Sequence, residues 1–357
     1  MHWRVVEEPR LRGYAVEWLE PGLIILSRRN QLFRSDSIAS PPKCLGHVPA
    51  PAWRLWASRF RPAQRLLRHQ VYNVVKIDDS TLFVTFDKSI GVFDAEGFRF
   101  LSGLERPCRV LPGGVASSSQ GKLFFGEYLV NPERSPMRIY SWEPGAAAVE
   151  VVHEFRAGAI RHVHALHHDP FTGAIWCLTG DFDAECRVLF TTDGFKTLQT
   201  VGAGDESWRS VTLLFTQSAV YYATDAEFER NRIIRLERSS GERTTVGEID
   251  GPVFAAIARG SDLFFAGTAE LCPSQVGRSA SLWHVDGDGK LEKLFALEKD
   301  RWPVGFFLPG ALHLSLGPGI DGTFFFQAVA LQGADGRTFH VRPDLRDQRP
   351  AEARGAG

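Results

Sequence analysis

The groups in this sequence with most chemistry to offer are arginines, acids and histidines that return at comparable places in a longer pattern. Arg209 lies eleven residues before Val220 and Arg301 eleven before Leu312, and Arg161 takes the same place once the longer DPFTGA turn is allowed for, with Arg109 as a fourth candidate. Guanidinium groups that converge bind a carboxylate, sulfate or phosphate through paired, fork-like hydrogen bonds. Acids recur too: Glu127 and Tyr128 in FFGEY, Asp181 and Asp183 in TGDFD, Asp225 and Glu227 in ATDAEFE, Glu270 in GTAE. Two carboxyls across a glycosidic bond act as acid and as base or nucleophile, and a phenol beside a carboxylate, as Tyr128 beside Glu127, offers another nucleophile. The densest cluster is RHVHALHHDP at 161–170, where His162 and His164 share a strand face by two-residue alternation and His167 and His168 fall at the turn. Such a pair begins a metal site or supplies a base, but no third ligand stands at a diagnostic spacing, so no metal centre and no cofactor is expected. Each set also has a plain structural use: arginines pair with acids of the next repeat, acids cap turns, and histidines pack.

The elements that must position these groups are strands. Short runs rich in β-branched and aromatic residues recur every 8 to 12 residues between Gly, Pro, Asp or Asn, and long helical patterns are nearly absent. A longer period of roughly 40 to 50 residues overlies them: VYNVVKIDDSTLFVTF, RVLPGGVASSSQGKLFFGEY, RHVHALHHDPFTGAIWCLTGD, WRSVTLLFTQSAVYYATD, PVFAAIARGSDLFFAGTAE and WPVGFFLPGALHLSLG each open a unit. YAVEWLEPGLIILSRRNQLFRSD adds a seventh. A repeat that cannot bury both faces alone stacks radially, so the fold class expected is all-β, a single β-propeller of about seven four-stranded blades. The repeats fall near 14–50, 71–104, 107–156, 161–203, 207–248, 251–297 and 302–341. Between the first two, residues 52–69 form an arginine-rich insertion that Pro62 keeps from being one continuous helix, and 342–357 reads as a mobile polar tail.

Within the repeats, TTDGFKTL at 191–198 resembles the Asp box, a hairpin between the third and fourth strands of many propellers. Thr191, Asp193 and Thr197 match its pattern, while Phe195 and Leu198 stand where the family has Gly and an aromatic. HVDGDGKL at 284–291 matches through Asp286, and VFDAEGFRF at 92–100 keeps Asp94 and an offset Gly97. The chain thus resembles the sialidase-like propellers with Asp-box (BNR) repeats, a group that includes sialidases, other glycoside hydrolases, polysaccharide lyases and binding scaffolds. Sialidases hold a substrate carboxylate with three arginines, and the resemblance implies an anionic oligosaccharide or glycan as ligand.

The expectation is therefore an axial mouth in which Arg161, Arg209 and Arg301 hold the anion, with His162 and Asp225 beside them. Glu127 and Asp181 would be the carboxyl pair for hydrolysis with Tyr128 nearby, and His164 or Tyr128 the base for elimination from a uronate. The rival is a non-catalytic scaffold whose top face binds a protein or glycan. Composition narrows the partners: 41 basic against 42 acidic side chains leave no field for nucleic acid or an anionic membrane. The charged N-terminal stretch MHWRVVEEPRLRG lacks the apolar run of a signal peptide, and the five cysteines have no C-x-x-C spacing, which points to a cytoplasmic protein with reduced thiols.

Overall fold

Runs such as Val71–Lys76 and Leu82–Phe86 form strands that are buried on both faces, because each sheet they join is sandwiched between two others. The computed structural model describes residues 2–344, which form seven four-stranded antiparallel sheets arranged as a β-propeller. The innermost strands of blades I to VII are Ala15–Glu20, Val71–Lys76, Ala116–Ser117, Val163–His168, Ser210–Phe215, Val253–Arg259 and Ala311–Leu314. Burial falls off outwards: the second strand of blade IV, Ile175–Thr179, is wholly buried, while its outermost strand, Gln199–Ala203, is exposed or half-exposed. An apolar cluster fills each junction between neighbouring blades, such as Val75, Phe83, Phe125 and Trp142 between blades II and III. The core is thus distributed around the ring, which leaves the axis free for polar groups.

Blade VII is completed from the other end of the chain. Its outermost strand is Trp3–Glu7, paired antiparallel with Thr338–Pro343, and the Trp3 ring meets Phe264 of blade VI edge-on at 4.7 Å. Arg342 and Pro343 therefore belong to a strand rather than to the expected tail, and residues 345–357 lie outside the described residues.

The 191–198 hairpin makes the bonds its acids allow. The Thr197 amide and hydroxyl donate to the two Asp193 oxygens at 3.0 and 2.7 Å, and the Phe195 amide donates to Thr191 Oγ1 at 3.1 Å. Phe195 takes a φ of +75°, a conformation that favours glycine, and its buried ring packs on Phe124 between blades III and IV, which offsets the backbone cost. The insertion forms two short helices, Ala52–Ala57 and Arg61–Leu66, with Pro62 in the first turn of the second. Three of its five arginines are spent on neighbours: Arg54 on Asp87 at 2.8 Å, Arg61 on both oxygens of Asp335 at 3.0 Å, and buried Arg65 on Asp300 at 2.5 Å. Among the described residues no helix is long and apolar enough to cross a membrane.

The closing strand gives a direct test. Trp3→Ala removes the ring from Phe264 without touching the axis, and urea unfolding should show a loss of about 2–3 kcal/mol. A change under about 0.5 kcal/mol would mean that this strand does not help close the ring.

Candidate functional site

The inner strands of five blades carry a register shift, at Val16/Trp18, Val71/Asn73, Val163/Ala165, Ser210/Leu213 and Val253/Ala255. A bulge re-aims the residue it leaves unpaired. Here those residues include Glu17, Tyr72, His164, Val211 and Phe254, and all five line the axial cavities. A cavity of about 190 Å³ at the mouth is walled by Tyr128, Arg161, His162, His164, Asp181, Arg209, Asp225 and Glu270. Leu111, Tyr128, Val211, Phe254 and Glu270 are shared with an axial cavity of about 390 Å³, so the two adjoin. Together they offer the room of a small-ligand site.

Asp181 is the hub of this mouth. Gly180 turns the chain into it with a φ of +119°, and a Cβ there would come within 2.5 Å of the Cys186 backbone, so only glycine serves. Arg161 Nη1 donates to Asp181 Oδ2 at 2.9 Å. His164 Nε2 and His162 Nε2 lie 3.2 and 3.3 Å from Asp181 Oδ1, and Arg209 Nη2 is 3.4 Å from the same oxygen. Arg209 Nε also donates to Asp225 Oδ2 at 3.1 Å, and Glu206 and Glu227 stand 3.9 and 3.8 Å from its Nη1. The Tyr128 ring lies against His162, with centroids 4.3 Å apart.

Crowding drives the acids of the mouth apart. Burial alone would raise the Asp181 carboxyl, but the two imidazoles against it hold it well below the usual carboxylate range. Glu270 is pushed up to about 8 by burial and by Asp225, so it keeps its proton at neutral pH. Burial also raises Asp225, with Arg209 opposing. The Tyr128 phenol is raised by burial and then by Asp181, Asp225 and Glu270, which keeps it neutral. Two polar atoms of the wall, Arg161 Nε and Asp225 Oδ1, are buried without a hydrogen-bond partner. Buried orphans of opposite kind at one cavity are what a polar ligand would satisfy.

Of the nine residues expected to form the axial mouth, the fold brings Tyr128, Asp181, His164, Arg161, Arg209, His162 and Asp225 to this one cavity. Two lie elsewhere. Glu127 is fully buried and faces away from Tyr128, as consecutive residues on extended backbone must. Its oxygens take bonds from Arg106 at 2.7 and 3.2 Å, from the Tyr140 hydroxyl at 3.0 Å and from the Arg138 amide at 3.0 Å. It neither pairs with Asp181 nor activates Tyr128. Arg301 is exposed beside Trp302, because the irregular segment 302–310 intervenes before the inner strand of blade VII. Gly310 occupies the place just before that strand that Arg209 holds in blade V. Arg109, the fourth candidate, pairs with Asp87 at 3.1 Å and lines the axial cavity. His167 is half-buried with its Nε2 3.1 Å from Val211 O, and desolvation lowers it to about 4. Glu270 was visible only as one of several acids at strand ends; its crowding by Asp225, Asp181 and Glu227 shows in the fold alone.

No family model matches the chain, and no curated protein matches it. Solved structures share the fold. An oligogalacturonate lyase in complex with manganese superposes with a TM-score of 0.63 at 10% identity over 95% of this chain and 93% of that one. A chain of the mitotic checkpoint complex gives 0.56 at 12% identity over 96% and 93%. The extracellular domain of a proposed one-component system from B. thetaiotaomicron gives 0.59 at 12% identity over 96% of this chain, which spans 40% of that longer one. At these identities the likeness is one of propeller fold, and it does not reach the sialidase family.

Glu127 offers a check on this geometry. Glu127→Gln should lower stability by about 2–3 kcal/mol, because it leaves Arg106 without its charge partner, and should leave ligand affinity at the mouth unchanged. A loss of affinity with unchanged stability would put Glu127 back in the site.

Proposed function

We propose that the axial mouth binds a small anionic saccharide and cleaves its glycosidic bond by acid–base chemistry. The observation that carries this reading is the split between two carboxyls of one cavity: Asp181 held ionised and Glu270 kept protonated, with Arg161 and Arg209 in the same wall. Pairs of acids pushed apart in this way are the mark of a site that donates and receives protons. Glu270 is then the proton donor to the leaving oxygen. Arg161 orients the sugar carboxylate through its unpaired Nε, and Arg209 holds Asp181 and Asp225 in place.

Elimination from a uronate is the second reading. It is favoured by likeness in fold and extent to a protein named for oligogalacturonate; the upward-shifted Tyr128 phenol stays neutral and leaves His164 as the base of the two expected. Glu270 protonates the leaving oxygen in both routes, while Asp181 takes the proton of the attacking water in hydrolysis and His164 the C5 proton in elimination. The cytoplasmic expectation goes with this reading: all five cysteines are free, and the substrate would be an intracellular oligosaccharide.

Calorimetry against uronate, sialic-type and sulfated oligosaccharides tests the binding. The Arg161→Ala, Arg209→Ala double variant should bind at least about 100-fold more weakly, since charged hydrogen bonds contribute about 1.5–3 kcal/mol each. Turnover should fall as pH rises through about 8, where Glu270 loses its proton, and Glu270→Gln should be inactive while still binding. Unsaturated products would assign elimination and saturated ones hydrolysis. Absence of binding by the folded wild type across the panel would overturn the saccharide reading in favour of a scaffold.

A further inference from the structure

We propose that His162, His164 and Asp181 hold a divalent first-row transition-metal ion in the axial mouth. The argument begins on the far side of each imidazole. His162 Nδ1 lies 3.1 Å from the Leu129 carbonyl oxygen and His164 Nδ1 2.9 Å from that of Ser210. A carbonyl oxygen only accepts, so each Nδ1 carries its ring's proton, and the Nε2 of a neutral ring is left as a lone pair. Those two Nε2 atoms stand 3.1 Å from each other, and 3.2 and 3.3 Å from Asp181 Oδ1. Three acceptors that face one another across such a gap repel unless a positive charge sits among them.

A proton on one ring is one such charge and a metal ion the other, and the surroundings favour the ion. The three separations are nearly equal. Donors bound to one ion at about 2.0–2.2 Å, at tetrahedral or octahedral angles, stand roughly 3 to 3.5 Å apart. A backbone carbonyl behind each imidazole is the usual way a metal-binding histidine is oriented. Both rings are buried, where an added positive charge without a full set of partners is costly. Around them the carboxyls of Asp181, Asp225, Glu206 and Glu227 outnumber the guanidiniums of Arg161 and Arg209. That balance suits a cation. Two imidazoles select a transition ion over magnesium or calcium, which prefer oxygen.

Three protein donors leave coordination positions open toward the cavity that Tyr128, Arg161 and Glu270 also line. In this arrangement His164 is a ligand and not the base expected of it. The inference rests on donor geometry and not on the saccharide reading; if both hold, a sugar carboxylate or hydroxyl would complete the coordination.

The test uses the whole chain, stripped with a chelator and titrated separately with zinc, cobalt and manganese in the absence of any saccharide. One ion per chain should bind, cobalt should develop visible bands, and zinc should shift the ring signals of two histidines in the nuclear magnetic resonance spectrum. His162→Gln and Asp181→Asn, checked for fold by circular dichroism, should each bind at least about 100-fold more weakly. If either fails to fold, the two histidine signals of the wild type decide. A stripped, folded wild type that binds none of the three ions, or binding that both variants retain, overturns the inference. Metal binding without saccharide binding sustains it and removes the saccharide reading; the reverse removes the metal alone.

Discussion

A carboxylate taken out of water must be surrounded by positive charge or by donors, and Asp181 meets that condition first with two guanidiniums drawn from two blades. Much of the mouth follows from it. Arg161 and Arg209 are brought in by its charge, the His162 and His164 rings are held against it, and Glu270, crowded by like charges with no cation of its own, retains a proton. The local backbone is bent to allow this contact. Gly180 adopts a conformation closed to other residues, and the bulge at Val163/Ala165 turns His164 inward.

Such a concentration of charge is tolerated because stability resides elsewhere. Each pair of neighbouring blades has its own apolar cluster, and the ring is closed by backbone pairing of Trp3–Glu7 with Thr338–Pro343. The insertion ties blade II to the loops around blade VII through Arg54, Arg61 and Arg65. The axis can then carry groups that repel one another, since no core depends on it.

The propeller was legible in the sequence because a radial repeat leaves a period, and each blade must spend its apolar residues at the same places. The mouth was legible where chemistry coincided with strand ends, as for Asp181, Asp225 and the 161–164 segment. What the sequence hid has physical causes. Glu127 and Tyr128 differ by one position, and only the direction of the strand decides which of them faces the axis. The eleven-residue spacing of Arg301 is disrupted by the irregular stretch 302–310, which no repeat count reveals. The closing strand is too short to show a period, and the third donor beside the histidines lies seventeen residues from His164, on a different strand end. The inward bulges depend on pairing with the next strand and leave no compositional trace.

The central claim is that the mouth holds one carboxylate permanently ionised and one carboxyl permanently protonated at neutral pH. It is tested most directly by carbon-13 titration of the Asp and Glu carboxyls in the wild-type protein, with the Asp181 and Glu270 signals assigned from Asn and Gln variants. The expected result is a Glu270 carboxyl that titrates near 8 and an Asp181 carboxylate that stays ionised well below the usual aspartate range. Titration of both groups together at about 4, as in unfolded peptides, would contradict it.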